Sequence, residues 1–251
     1  LRARARGDLV LALTGAPLEA RILRDDDEDP SEHEGGSDLQ AQPVAMGRPI
    51  ALHDGEVLHL GIPDRGVRTY LAVRGGFDVA PVLGSCSTDT LSGLGPPPLT
   101  GGTELPVADP DRAGAVAMHA SPSARTCPGA GETTVLRVLP GPREDWFEQT
   151  ALDLLTGQEW QVTEQSDRIG LRLTPLEGGT VLTRSRTDEL PSEGVVSGAL
   201  QVPTSGEPVL FLADHPTTGG YPVIAVLHID DIPLAAQLPP GARTRFTLEA
   251  A

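Results

Sequence analysis

The stretch DELPSEGVVSGALQVPTSGEPVLFLADHPTTGGYPVIAV, residues 188–226, decides the fold class of the chain. Its apolar runs, such as 209–212 and 223–228, are short and separated by turns rich in glycine and proline, which is typical of a β-rich domain. The turns also carry polar side chains, and turns between strands are where a β scaffold usually displays binding and catalytic groups. The stretch therefore predicts a set of strands that position a site.

Two glutamates in this stretch, Glu189 and Glu193, lie four residues apart with Ser192 between them. Paired carboxylates on one loop can act as an acid and a base when their environments separate their pKa values. The alternative is a solvated acidic turn. The neighbouring glycines and Gln201 favour the wall of a pocket, so we predict Glu193 as a catalytic residue and Ser192 and Gln201 as binding residues.

A second carboxylate, Asp214, ends an apolar strand and precedes a run of threonines and glycines. Backbone N–H groups at two adjacent glycines can converge on an anion, and threonine hydroxyls add donors. A tight hairpin with positive φ at the glycines is the alternative. We predict Asp214 as a general base or as a contact to a metal-bound nucleotide. The residues predicted to bind substrate or nucleotide are Thr217, Thr218, Gly219, Gly220 and Tyr221.

The triplet Ser166-Asp167-Arg168 precedes another predicted strand. Arg168 can clamp a carboxylate or a phosphate through two parallel hydrogen bonds, with Asp167 beside it. A structural ion pair that fixes a turn is the equally good alternative. Both residues are predicted to belong to the site.

A further polar segment, Ser85-Cys86-Ser87-Thr88, begins nine residues after the glycine pair Gly75-Gly76. Ser85, Ser87 and Thr88 are predicted to form a binding rim. The segment lacks the G-x-S-x-G pattern of a nucleophile elbow, so serine hydrolase chemistry is not expected.

Composition excludes several classes of function. The net charge of −16 argues against binding to nucleic acid or to an anionic membrane, because both need a cationic face. All 19 basic residues are arginine, which excludes a lysine Schiff base, a P-loop lysine and a biotinyl lysine within this chain. The six histidines show no metal-ligand spacing, so no metal site is predicted. Cys86 and Cys127 show no CxxC pattern and predict free thiols in a cytoplasmic protein.

The strand pattern recurs along the whole chain. Strands are predicted at residues 9–14, 18–23, 49–52, 57–60, 69–73, 135–139, 159–163, 170–173, 180–183, 198–202, 209–212, 223–228 and 243–248. Asp54-Gly55 predicts a hairpin turn, and residues 144–156 predict one prominent helix with Trp146 and Phe147 on its apolar face.

Two polar segments interrupt this pattern. Residues 25–40 (DDDEDPSEHEGGSDLQ) predict a mobile and dispensable loop, with a calcium site as the sharper alternative. Residues 108–132 predict a linker, so the chain divides into a first β subdomain, 1–130, and a second, 133–251.

Six short blocks, taken in order, resemble the allophanate hydrolase subunit 2 family. They are 70–76 (YLAVRGG) with 84–88 (GSCST), 139–142 (LPGP), 165–172 (QSDRIGLR), 189–194 (ELPSEG), 198–203 (GALQVP) and 217–222 (TTGGYP). This family includes the C subunit of bacterial 5-oxoprolinase, the Kip-antagonist proteins and the carboxyltransferase region of urea carboxylase. Members usually begin with a further segment containing a TVQDxGRxG motif, which has no counterpart here. The chain is therefore interpreted as a fragment or as one domain of a longer polypeptide.

The resemblance implies a mainly β fold of two cyclophilin-like β-barrel subdomains, with the helix after the linker. It also implies a component of an ATP-dependent 5-oxoprolinase, which converts 5-oxo-L-proline to L-glutamate. The implied partners are the B subunit of that enzyme, which is an allophanate hydrolase subunit 1-like protein, and its A subunit. The chain alone is expected to be inactive. Two alternatives stay open: a biotin-dependent carboxyltransferase domain of a urea carboxylase, and a non-catalytic binding module that antagonises a kinase inhibitor.

Overall fold

The computed structural model describes residues 1–24, 41–112, 114, 127–186 and 188–249. These residues separate into two compact units, which are described one at a time. The first unit draws on residues 1–14, 18–62 and 69–122, and the second on 15–17, 63–68 and 123–251. The predicted acidic loop 25–40 and most of the predicted linker lie outside the described residues. The subdomain boundary near residue 130 stays a prediction.

The described residues of the first unit contain seven short strands. They are β1 (Arg2–Arg4), β2 (Leu9–Gly15), β3 (Ala20–Leu23), β4 (Gln42–Pro43), β5 (Ile50–Leu52), β6 (Val57–Leu60) and β7 (Thr69–Val73). They form two open sheets, one of four strands in the order β1-β6-β3-β4 and one of three in the order β5-β2-β7, rather than closing into the predicted barrel. Leu13, Leu52 and Leu58 are buried between other aliphatic side chains and supply its core.

The turn at Asp54-Gly55 does not join a hairpin, so this sequence prediction is wrong. Glu56 N donates to His53 O at 3.1 Å and Gly55 has φ +83°, so the tight turn itself forms. Its two flanking strands then separate, because β5 pairs with β2 while β6 pairs with β1 and β3. The turn thus carries the chain from one sheet to the other.

The second unit is built around a closed barrel of seven strands. They are β8 (Thr133–Pro140), β9 (Glu159–Val162), β10 (Gly170–Pro175), β12 (Ala199–Gln201), β13 (Val209–Phe211), β15 (Val223–Leu227) and β16 (Arg243–Leu248). The order around the barrel is β10-β13-β12-β15-β8-β16-β9. Every pair is antiparallel except β8 with β16, where Phe246 lies opposite Leu136. The mainly β prediction is confirmed.

Large side chains with no accessible surface fill the interior of this barrel. Trp160 and Phe246 are fully buried among leucines and valines from the six barrel strands other than β16. The Trp160 indole N–H donates to Leu155 O at 2.9 Å, which satisfies the one polar atom of the ring. A core of this kind fixes the strand ends on which the polar side chains of the unit stand.

The helix predicted over residues 144–156 is interrupted. The structure has a 3₁₀ turn at Glu144–Trp146 and then α1 at Ala151–Gly157; a second short helix, α2, spans Ile232–Ala235. Phe147 adopts an extended conformation and forms an isolated bridge with Arg184, which stops the first turn from propagating. Trp146 and Phe147 are buried as expected, Trp146 from the 3₁₀ turn and Phe147 from the extended residue that follows it.

Two further expectations have clear outcomes. Residues 180–183 do not form the predicted strand; Leu182 N makes a single bond to Gly206 O at 2.9 Å instead. Cys86 and Cys127 are both free thiols. Within the described residues, no helix has the length and hydropathy that crossing a membrane requires.

Candidate active site

A two-stranded ribbon outside the barrel strands organises the candidate site. Its strands are β11 (Glu193–Gly194) and β14 (Thr218–Gly219), which pair antiparallel with Glu193 opposite Gly219 and Gly194 opposite Thr218. The pairing continues where Val195 N donates to Thr217 O at 3.0 Å. Two segments that are separate in sequence therefore present their polar side chains together.

The carboxylate of Glu193 is held by Arg143, which follows β8. Arg143 Nε donates to Glu193 Oε2 at 3.0 Å, and its Nη2 donates to Oε1 to complete a bidentate pair. Hydrogen bonding from Arg143 lowers the pKa of Glu193. A carboxylate with a lowered pKa is a weaker base, so the geometry favours Glu193 as the group that orients Arg143.

Gln201, at the end of β12, lies beneath the ribbon and is only 5% exposed. Its Nε2 donates to Tyr221 O at 2.9 Å. A Cβ added to Gly219 would lie 2.4 Å from this same nitrogen, so the amide of Gln201 occupies the space that a side chain at position 219 would need. Glycine at 219 is thus explained by close approach.

This packing corrects both interpretations of the glycine pair. Neither Gly219 nor Gly220 is among the glycines with positive φ. The tight hairpin with positive φ is therefore wrong, and an anion nest that needs one left-handed residue is not formed at these positions. Gly220 lies beside Ser192, whose Oγ would be 4.0 Å from a Cβ added there.

Arg168 and Asp214 form a second polar group. Arg168 Nη2 lies 3.3 Å from Asp214 Oδ2, with both side chains nearly half exposed. Leu212 N donates to Ile169 O at 2.8 Å, and this bond joins the segment that carries Asp214 to the segment that carries Arg168. Asp167 Oδ1 accepts from the backbone N–H groups of Ile169 and Gly170, so that carboxylate fixes the turn before β10.

The predicted site residues of the second unit thus fall into two groups. Asp214 is four residues from Thr218, so their Cα atoms are separated by no more than about 14 Å. A single surface carrying both groups stays a prediction.

The predicted rim residues of the first unit use their polar groups in local turns. Ser87 N donates to Ser85 Oγ at 3.1 Å, and Thr88 Oγ1 donates to Pro96 O at 2.6 Å. Their binding role stays a prediction.

Sequence reasoning missed Arg143, which lies fifty residues from its partner Glu193. The available signal was its position directly after the LPGP block, at the end of a predicted strand. Gly141 in that block passes so close to β15 that a Cβ there would lie 2.4 Å from Val223 O. This close approach of Gly141 to β15 places Arg143 beside Val223. The backbone N–H of Arg143 donates to the carbonyl of Val223 at 3.2 Å.

Comparison with known proteins identifies the group to which these features belong. Residues 1–248 match the family described as the carboxyltransferase domain, subdomain A and B. The chain is 37% identical over 238 residues to the C subunit of 5-oxoprolinase from Escherichia coli strain K12, covering 94% of this chain and 68% of that protein. It is 28% identical over 230 residues to urea amidolyase of Lachancea kluyveri, covering 83% of this chain and 12% of that protein.

A solved structure agrees on the fold. The crystal structure of the Kluyveromyces lactis urea amidolyase superposes with a TM-score of 0.76 at 24% identity, covering 99% of this chain and 15% of that one. The mainly β architecture is therefore shared with a much longer protein.

Proposed function

The chain belongs to the carboxyltransferase domain family, subdomains A and B, and from this premise we propose that it is the C-type component of an ATP-dependent 5-oxoprolinase. In this proposal it acts with the A and B subunits of the enzyme, of which the B subunit is the allophanate hydrolase subunit 1-like partner. Together they open the lactam ring of 5-oxo-L-proline with water to give L-glutamate, coupled to ATP hydrolysis. The 37% identity with the Escherichia coli protein supports this assignment over most of the chain.

The observation that carries the proposal is the oriented guanidinium of Arg143. Glu193 engages its Nε and Nη2, which leaves Nη1 without a hydrogen-bond acceptor among the described residues. A planar guanidinium fixed in this way has further donors available for a carboxylate. We assign Arg143 to the substrate carboxylate and Glu193 to the positioning of Arg143.

The Arg168–Asp214 pair supplies the groups for proton transfer and for a developing anion. Asp214 is half exposed and contacts one arginine through a single 3.3 Å approach, so its carboxylate is accessible to a proton donor. Arg168 beside it can stabilise a phosphorylated or carboxylated intermediate. In this proposal Asp214 is the base and Arg168 the anion contact.

ATP is assigned to the assembly rather than to a phosphate loop of this chain. The chain has no lysine, and its glycine pair 219–220 does not adopt the conformation of an anion nest. Phosphate contacts from this chain would therefore come from arginine side chains, with the partners supplying the nucleotide pocket.

A biotin-dependent carboxyltransferase domain is the second candidate, and the family description together with the match to a urea amidolyase favours it. Both reactions activate an amide, so the same arginines and carboxylates would serve. Because the chain has no lysine, the biotinyl carrier would come from outside this sequence.

An omission experiment tests the proposed function. The chain is combined with the A and B subunits of 5-oxoprolinase, and glutamate and ADP formation from 5-oxo-L-proline and ATP are measured with each component left out in turn. The proposal predicts product only when all three are present. Urea-dependent transfer of a carboxyl group from carboxybiotin, without glutamate formation, would support the second candidate instead.

A further inference from the structure

We infer that the side-chain carbonyl of Gln201 accepts the N–H of the bound amide, and that the missing side chain at Gly219 keeps this position open. The inference rests on the proposed function in one respect, that the substrate is an amide. It adds the residue that distinguishes an amide from an analogue without an N–H group.

The orientation of the Gln201 amide is fixed by its surroundings. Nε2 donates to Tyr221 O at 2.9 Å, and only the nitrogen end of an amide can face a carbonyl oxygen. Oε1 therefore points the other way, and it accepts no hydrogen bond from the residues that the structure describes. Gln201 is only 5% exposed as a residue, yet its Oε1 is not among the fully enclosed polar atoms that lack a partner, so this oxygen keeps some accessible surface. A donor on a bound ligand can therefore reach it.

Gly219 sets the position of this amide. A Cβ at Gly219 would meet Gln201 Nε2 at 2.4 Å, Cδ at 3.3 Å and Oε1 at 3.4 Å. The amide therefore lies flat against the backbone of β14. Any larger residue at 219 would displace the flexible end of the Gln201 side chain.

The register of the ribbon places this amide on the face that carries Glu193. Directly opposed residues of an antiparallel pair project to the same face, with Cβ atoms about 5 Å apart. Glu193 lies opposite Gly219, and the missing Cβ of Gly219 points at Gln201. One face of the ribbon thus presents an acceptor at Gln201 and, through Glu193, the donors of Arg143.

This pair of groups matches a cyclic amide that carries a carboxylate. The carboxylate would meet Arg143, and the ring N–H would meet Gln201 Oε1. A site that hydrogen-bonds a substrate N–H rejects an analogue that lacks it, because the buried acceptor is then left unpaired.

The test compares two ring probes that differ at one atom. The lactam is 5-oxo-L-proline, and the lactone is the same acid with a ring oxygen in place of the N–H. Calorimetry measures the Kd of each probe for the assembled complex in the absence of ATP. The variants are Gln201→Met and Gly219→Ala, with Gly194→Ala as the matched control, because a Cβ at Gly194 in the same ribbon meets nothing within 4 Å.

We expect wild type and Gly194→Ala to prefer the lactam by about tenfold or more, and both test variants to reduce this preference to about threefold or less. Gly219→Ala should remain folded, because its new methyl group meets the end of a flexible side chain. An unchanged preference in the two test variants, an equal loss in Gly194→Ala, or no lactam preference in wild type would overturn the inference.

Glutamate formation separates this inference from the proposed function. A wild-type complex that forms glutamate while its lactam preference is independent of Gln201 retains the function and refutes the inference. A complex that shows the Gln201-dependent preference but forms no glutamate refutes the function and leaves an amide-binding site.

Discussion

At the scale of the residue, the ion pair of Arg143 with Glu193 is the most informative contact in the molecule. It joins the loop after β8 to the ribbon across fifty residues of sequence, with roughly a third of each side chain exposed. Surface pairs of this kind contribute little to stability, so its bidentate geometry is better explained by orientation of Arg143.

The pair has a predicted signature in the pH dependence of stability. Arg143 lowers the pKa of Glu193 in the folded protein, so the stabilisation is fully present above the unfolded pKa of about 4.3 and is lost as the pH falls through the lower folded value. The difference in free energy of unfolding between wild type and Glu193→Gln should be constant from about pH 7 to 5 and shrink below about pH 4.

Urea unfolding across this pH range measures the difference in free energy of unfolding. The control repeats the comparison of glutamate with glutamine at position 193 in proteins that also carry Arg143→Gln. Without the arginine, the acid-dependent part of the difference should disappear. A difference that persists unchanged in the Arg143→Gln background would show that another group lowers the pKa of Glu193.

For the pair of Arg168 with Asp214, we predict that substitutions reduce activity while leaving stability nearly unchanged. Asp214→Asn should reduce kcat/KM of the assembled complex at least about tenfold, which is about 1.4 kcal/mol in the transition state, because the amide cannot accept the proton. Arg168→Lys should also reduce it, because an ammonium cannot reproduce a planar guanidinium. Both variants should unfold within about 1 kcal/mol of wild type, since the pair is half exposed.

The measurements are steady-state kinetics and urea unfolding on the same preparations. Full activity per folded molecule together with a large loss of stability would show that the pair is structural.

Individual residues show how far sequence reasoning reaches. Arg168 and Asp214 were predicted separately from local motifs, and the structure brings them within 3.3 Å. Arg143 was missed because its partner lies fifty residues away and no local pattern encodes that pairing. The need for glycine at 219 was attributed to backbone conformation, whereas it comes from the packing of Gln201, which the sequence of the turn does not contain.

At the scale of the element, the chain directly after β8 packs tightly against β15 at Gly141. A Cβ at Gly141 would lie 2.4 Å from Val223 O, 2.7 Å from Ile224 C and 2.8 Å from Ala225 N, all of them backbone atoms. Gly141→Ala should therefore lower the free energy of unfolding by about 2 kcal/mol or more, because the strands must separate.

Gly157→Ala, at the end of α1, is the control, since a Cβ there meets nothing within 4 Å. It should change stability by less than about 1 kcal/mol. Equal stability of the two variants in denaturant unfolding would contradict the close packing of Gly141 against the backbone of β15.

Elements were predictable where apolar periodicity and burial agree. The strands β6 and β7 form with the predicted bounds, and β16 does as well. The prediction of one continuous helix over 144–156 was wrong because Phe147 is extended and bridges to Arg184. This long-range contact overrides the local preference of the segment for helix. The hairpin prediction at Asp54-Gly55 was wrong because the residues of a turn determine its local geometry but not which strands pair on either side of it. Here β5 pairs with β2 and β6 pairs with β3.

At the scale of the whole molecule, the proposal assigns catalysis to an assembly. The chain spans 68% of the Escherichia coli protein and contains no lysine for a phosphate site, and the proposal gives its arginine and carboxylate groups the substrate contacts. We therefore predict that the chain alone hydrolyses no ATP in response to 5-oxo-L-proline. Steady turnover by the isolated chain, measured by ADP release, would contradict this division of labour.

The most direct measurement is 5-oxo-L-proline-dependent ATP hydrolysis by the complex reconstituted with wild-type chain or with Arg143→Gln, with assembly verified by size-exclusion chromatography. The account predicts that the Arg143→Gln complex assembles normally and loses at least about tenfold in kcat/KM for 5-oxo-L-proline, because the substrate carboxylate loses its oriented donor. Wild-type activity in an assembled Arg143→Gln complex would show that the ribbon is not the substrate site.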